Sequence, residues 1–155
     1  LYYYFKGLPE ILNAILDKEY YDFSLNIHDI RRDNKAHVDV LKEMARVILE
    51  FYHDNIEILL IILTRIFPLF LEPGNREEST AINNYMDSYH LANDLMLEEI
   101  RLALQGGELA TEFAPELVLQ TLRGAIFGVC AVWRYGKPER NEIPAIVEQL
   151  FRMYV

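Results

Sequence analysis

The stretch "EESTAINNYMDSYHLANDLMLEEIRLALQGG" (Glu77–Gly107) decides the fold class. Its apolar and aromatic residues fall at Ile82, Tyr85, Met86, Tyr89, Ala92, Met96, Ile100 and Ala103. Steps of three and four place all of these on one side of a helix with 3.6 residues per turn. The pattern stops at Gly106 and Gly107, the residue type that ends helices, so a long helix is expected from about Glu77 to Gln105. The polar turn "EPGNREES" precedes it.

The same rhythm runs outward in both directions. From Leu8 to about Ile30 it reads Ile11, Leu12, Ile15, Leu16, Phe23 and Ile27, with Pro9 in the first turn, where its missing N–H costs nothing. "RRDNK" breaks it, and a helix from about Ala36 to Tyr52 turns Val40, Leu41, Met44, Val47, Ile48 and Phe51 inward. Asp54 is the expected N-cap of a third helix, "NIEILLIILTRIFPLFL", which is apolar nearly all round and is kinked or ended by Pro68. Two further helices are expected, from about Pro115 to Tyr135 and, after the breaker "YGKPERN", from about Glu142 to the C-terminus. No segment alternates with period two long enough to make a sheet, so the class is all-α.

Composition bounds the function. The 155 residues make about one domain, and a hydrophobic fraction of 52% is enough for a sizeable core. Fifteen basic against 24 acidic side chains give a net charge of −9, which argues against these residues forming a nucleic-acid surface by themselves. One cysteine, Cys130, precludes an internal disulfide and fits a reducing compartment; it sits in an apolar helix as an expected inert thiol. The longest apolar run, Ile58 to Leu63, is far short of the roughly 20 residues that span a bilayer, and no leader pattern is visible. A soluble, cytoplasmic protein without membrane attachment is expected.

The opening "LYYYFKGLPEIL" (Leu1–Leu12) raises a different question, because four consecutive aromatics gain nothing in water unless something covers them. Leu1, Tyr2, Tyr4, Phe5, Glu10 and Leu12 resemble the end of the recognition helix, the turn and the next helix start in the tetracycline-repressor (TetR) family of transcriptional regulators. The order and lengths of the later helices, and "GELATEFAPELVLQTLRGAIFGV", are similar to that family as well. The resemblance implies a helix-turn-helix tail over residues 1–7 and a ligand-binding and dimerisation domain over 8–155. It implies that Tyr2 and Tyr4 hydrogen-bond operator phosphates, which fixes register, while base-reading residues precede Leu1. Leu8 stands where the family often has a phosphate-binding Lys; Lys6 is the substitute.

The same resemblance implies a repressor that a small-molecule effector releases from its operator, with the Leu8–Ile30 helix as the moving link. Residues of suitable type for the effector pocket are Met44, Phe51, Phe67, Tyr85, Met86, Tyr89 and Phe127, with Thr64, Asn93 and Thr121 as orienting hydrogen-bond groups. The same stripe at helical spacing also fits plain core. A homodimer is implied through the last two helices, by Leu119, Leu122, Ile126, Val129 and Trp133 with Ile143, Ile146, Val147, Leu150, Phe151 and Tyr154. Gly124, Gly128 and Ala131 on one side would let helices approach closely.

Catalytic signals are poor, with no Gly-rich phosphate loop, no H-E-x-x-H and no cysteine pair, so neither an enzyme nor a cofactor is expected. The competing reading is a ferritin-like di-iron bundle. Glu50 and His53 form an E-x-x-H, Asp87 and His90 a D-x-x-H, and Glu19 and Glu57 are the completing carboxylates. A helical adaptor domain without DNA binding is the third.

Overall fold

A computed structural model describes residues 35–61, 63–64 and 80–154, together with Ala14, Asn26, Ile27, Asp29 and Ile30; of residues 80–86 and 88 it describes the backbone alone. The described residues are mostly helical and contain no strand, so the protein is all-α. Five helices are delimited: α1 (His37–Asp54), α2 (Ile56–Ile61), α3 (Thr80–Gln105), α4 (Pro115–Val132) and α5 (Ile143–Phe151). Short 3-10 turns, Trp133–Tyr135 and Arg140–Glu142, flank the connection between α4 and α5.

Helix α1 is the central element and packs against α3, α4 and α5. It buries Val40, Leu41, Met44, Ala45, Ile48, Leu49 and His53. Helix α3 answers with Ala92, Met96, Ile100 and Ala103, the lower half of the stripe that fixed the fold class. Helix α4 adds Val118, Leu122, Ile126 and Cys130, and α5 adds Ile143, Val147 and Phe151. The apolar side chains among these form one continuous core. The burial of each large aliphatic side chain in it is worth roughly 1.5–3 kcal/mol, which is what fixes short helices such as α5 in place.

The helix ends are satisfied by specific groups. Gly107 takes φ +69° after α3, where the Glu108 N–H donates to the Ala103 carbonyl (2.8 Å) and the Gly107 N–H to that of Leu104 (3.2 Å). That double bond pattern needs a left-handed residue, which glycine supplies without strain. The turn then delivers Glu108 to the start of α1, where its carboxylate accepts from the Val38 N–H at 2.8 Å. Ala36, at the N-cap position, has no side chain able to do this, so the cap comes from another helix end. Beside it the buried Glu99 carboxylate meets His37 Nδ1 at 2.8 Å.

Several expected details are corrected. Asp54 does not cap the third helix; it closes α1, and Asn55 stands at the junction instead. The Asn55 carbonyl accepts from the N–H groups of Ile58 (3.0 Å) and Leu59 (3.3 Å), while its side-chain amide donates to the Phe51 carbonyl (2.9 Å). Val47 and Phe51 are only half-buried, because Ala45 and Leu49 take the innermost positions of α1. The α-helical part of Pro115–Tyr135 ends at Val132 and tightens to 3-10 over the last turn.

The largest correction concerns the expected dimer surface. Leu122, Ile126, Trp133, Ile143, Val147, Phe151 and Tyr154 are buried within one chain, so they have almost no area left to give a second copy. Leu119, Val129, Ile146 and Leu150 are half-buried. What α4 leaves in water is a different face, carrying Leu117, Thr121, Gly124, Gly128 and Val132, with Tyr135 beyond it at 86% exposure. By length and composition Pro115–Tyr135 is also apolar enough to cross a bilayer, with a mean hydropathy of 1.3, although its inner face is committed to the core.

Candidate effector cleft

A cleft of about 340 Å³ opens between α1, α3 and α4. Helix α1 contributes Ile48 and Tyr52; α3 contributes Tyr89 and Asn93, one turn apart; α4 contributes Leu119, Gln120, Arg123, Gly124, Ile126 and Phe127. The lining follows from register. On α4, Val118, Leu122, Ile126 and Cys130, spaced by four, point inward, and the residues on their shoulder, Leu119, Arg123 and Phe127, border the cleft. Ile48 and Ile126 belong to both the cleft wall and the core, so the floor is held by the main packing.

Arg123 organises the polar part. Its guanidinium carbon lies 4.1 Å from the centre of the Tyr89 ring, a cation–π contact, and Nη1 donates to Asn93 Oδ1. Tyr89 in turn meets His90 edge-on, with ring centres 5.8 Å apart. Arg123 is the only charged side chain among the described residues that line the cleft.

A second, larger depression of about 450 Å³ lies on the other side of α1, bordered by Asn26, Ile30, Glu43, Arg46, Val47, Glu50, Phe51, Asp54, Asn55 and Arg140. Its charges are mutually satisfied. Arg46 bonds Glu43 and Glu50 (2.6 Å to the latter), and Arg140 reaches both Glu50 (3.2 Å) and Asp54 (3.0 Å). The hydrogen bond from Arg46 holds the Glu43 carboxyl below its usual range and raises that of Arg46 in return.

No protein-family model, curated protein or solved structure matches the chain.

Of the residues expected in an effector pocket, the structure brings Tyr89, Asn93 and Phe127 together in the cleft. Met44 is fully buried core and Phe51 borders the charged depression instead. Thr64 is exposed, its hydroxyl donating to the Leu60 carbonyl (2.7 Å), and Thr121 lies on the exposed face of α4, bonded to the Tyr154 hydroxyl (2.6 Å). Neither hydroxyl lines the cleft. Phe67 and the side chains of Tyr85 and Met86 lie outside what is described, as do Tyr2, Tyr4 and Lys6. Tyr52, Gln120 and Arg123 were missed, and Leu119 and Ile126 were expected at a dimer surface. The signal for Arg123 was present: it is the single charged residue between Glu116 and Arg134.

The described members of the expected iron-ligand set are not brought together. Glu50 is held by Arg46 and Arg140, and both ring nitrogens of His53 are engaged, Nδ1 with Asp54 Oδ1 (3.1 Å) and Nε2 with the Pro138 carbonyl (3.0 Å). His53 also packs edge-on against Trp133. Asp87, His90 and Glu57 are exposed, and Glu19 is outside the described residues. Among the described residues no three His, Cys, Asp or Glu side chains are grouped to hold a metal. Cys130 is buried, and that burial pushes its thiol up to about 12.

Proposed function

We propose that this chain is the effector-binding and dimerisation part of a TetR-like transcriptional repressor, acting in the cytoplasm as a homodimer and not as an enzyme. One observation carries the reading. A cleft of about 340 Å³ with mostly apolar walls opens between three helices and holds a single cation, a size and chemistry suited to a small molecule. The resemblance of Leu1–Leu12 to the end of a recognition helix supplies the DNA side, with Tyr2, Tyr4 and Lys6 on the phosphates.

The dimer in this reading uses the outer face of α4. Leu117, Val132 and Tyr135 are exposed apolar groups there, and a methyl group built on Gly124 or Gly128 would meet nothing within 4 Å. Open space beside two glycines on an apolar helix is room for a second helix to approach. Gly124 also borders the cleft, so the partner would sit next to the effector and sense its presence.

Genomic fragment selection with the full-length protein at physiological salt tests the proposal. The expected product is a pseudo-palindrome whose half-sites lie about one helical turn, 10–10.5 base pairs, apart. A folded protein that enriches no sequence would remove the regulator reading.

A further inference from the structure

The cleft carries a charge that no described residue neutralises. The chain has 24 acidic side chains against 15 basic ones, so carboxylates are in excess. Arg46, Arg101 and Arg140 each reach at least one of them. Arg134 and Arg152 reach none among the described residues, but both are exposed to water. Arg123 is half-buried and its described partners are neutral: the Asn93 amide oxygen and the face of the Tyr89 ring. Those contacts orient the guanidinium without cancelling its charge.

The free edge has a specific chemistry. Asn93 takes Nη1, and among the described residues Nε and Nη2 have no hydrogen-bond partner. Nε–H and Nη2–H form the side edge of a guanidinium, the pair of parallel donors that matches the two oxygens of a carboxylate. Around it the walls from Ile48, Leu119, Ile126 and Phe127 are hydrocarbon.

We infer that the cleft binds an amphiphilic monocarboxylate, its two oxygens on the Nε and Nη2 edge of Arg123 and its hydrocarbon body between Ile48, Leu119 and Phe127. The inference rests on the reading of the cleft as the effector site. Among the described residues the lining holds one cation and no other charge, which matches one negative charge, so a phosphate monoester, with close to two, is the poorer fit. A cationic amphiphile is repelled by the same side chain.

The test is calorimetric titration of the full chain with octanoate, octanol and octylammonium at low salt. Octanoate is expected to bind at least about tenfold more tightly than octanol, the ratio a charge-assisted hydrogen-bonded pair gives over a neutral one. Octylammonium is expected to bind weakest. Arg123→Gln is expected to close the gap between octanoate and octanol by lowering octanoate affinity at least about tenfold. Equal binding of octanoate and octanol to the wild-type protein, or binding of neither, overturns the inference, and that comparison decides even if the variant fails to fold. Because no DNA is present, octanoate binding by a protein that selects no operator would leave this ligand class standing and remove only the regulator reading. Operator selection without octanoate preference would do the reverse.

Discussion

Two arginines on opposite sides of α1 sit in two depressions, and the larger depression is the poorer candidate for a ligand. Around Arg46 the charges are already balanced by Glu43 and Glu50, with Arg140 and Asp54 extending the network. A ligand entering there would have to displace ion pairs that are also well hydrated. Around Arg123 the partners are an amide oxygen and an aromatic face, and the walls are apolar. Charge left unmatched by the described residues among mostly apolar walls is what distinguishes a binding site from a structural network, more than volume does.

That comparison can be broken at several points. The largest effect is expected where the cleft meets the core. Ile126 is 3% exposed, and Ile126→Ala should lower unfolding stability by about 2–5 kcal/mol in urea titration. A loss below about 1 kcal/mol would mean the cleft floor is not held by the main packing. Glu50→Gln removes the carboxylate shared by Arg46 and Arg140, and should cost about 1 kcal/mol. That loss should shrink in high salt and leave octanoate affinity untouched. A change in octanoate affinity would put the ligand on the wrong side of α1.

A smaller effect belongs to pH. Arg46 holds the Glu43 carboxyl below its ordinary value of 4.5. A carboxyl with a depressed folded value contributes stability that is present above the unfolded value and lost as pH falls through the folded one. The urea midpoint of the wild-type protein should therefore fall below about pH 4.5 more steeply than that of Glu43→Gln, by less than about 1 kcal/mol for so exposed a pair. Parallel acid limbs would show that the network adds nothing to stability. The smallest effect is expected at Cys130, whose buried thiol is raised to about 12. At pH 8 only about one thiol in ten thousand is ionised at that value, so iodoacetamide should label the protein in urea and leave it unlabelled when folded. Rapid labelling of the native protein would mean that α4 opens.

The helices were legible because their cause is local. Ala92, Met96, Ile100 and Ala103 fall inward at the positions their spacing demands, and Gly107 ends α3 as a left-handed glycine should. Periodicity gives a face, however, and not what the face meets. Leu122, Ile126, Val147 and Phe151 read as a surface for a partner and turn out to be core, because α4 and α5 pack on α1. The cleft was legible only in Tyr89, Asn93 and Phe127. Arg123 escaped because a lone charge on an apolar helix is assigned to solvent until the neighbouring helix brings Tyr89 over it. Asp54 was misplaced by one residue, since either Asp54 or Asn55 could begin a helix and the carbonyl geometry of Asn55 decides.

The central claim is that the Arg123 cleft, and not the Arg46 depression, is the ligand site. Amide chemical shifts followed while octanoate is titrated into the full chain address it directly. The account predicts saturable shifts at Tyr89, Asn93, Arg123 and Phe127, with Glu43, Arg46, Glu50 and Arg140 unmoved. Saturable shifts confined to the Arg46 side of α1, or no shift at either arginine, would contradict it.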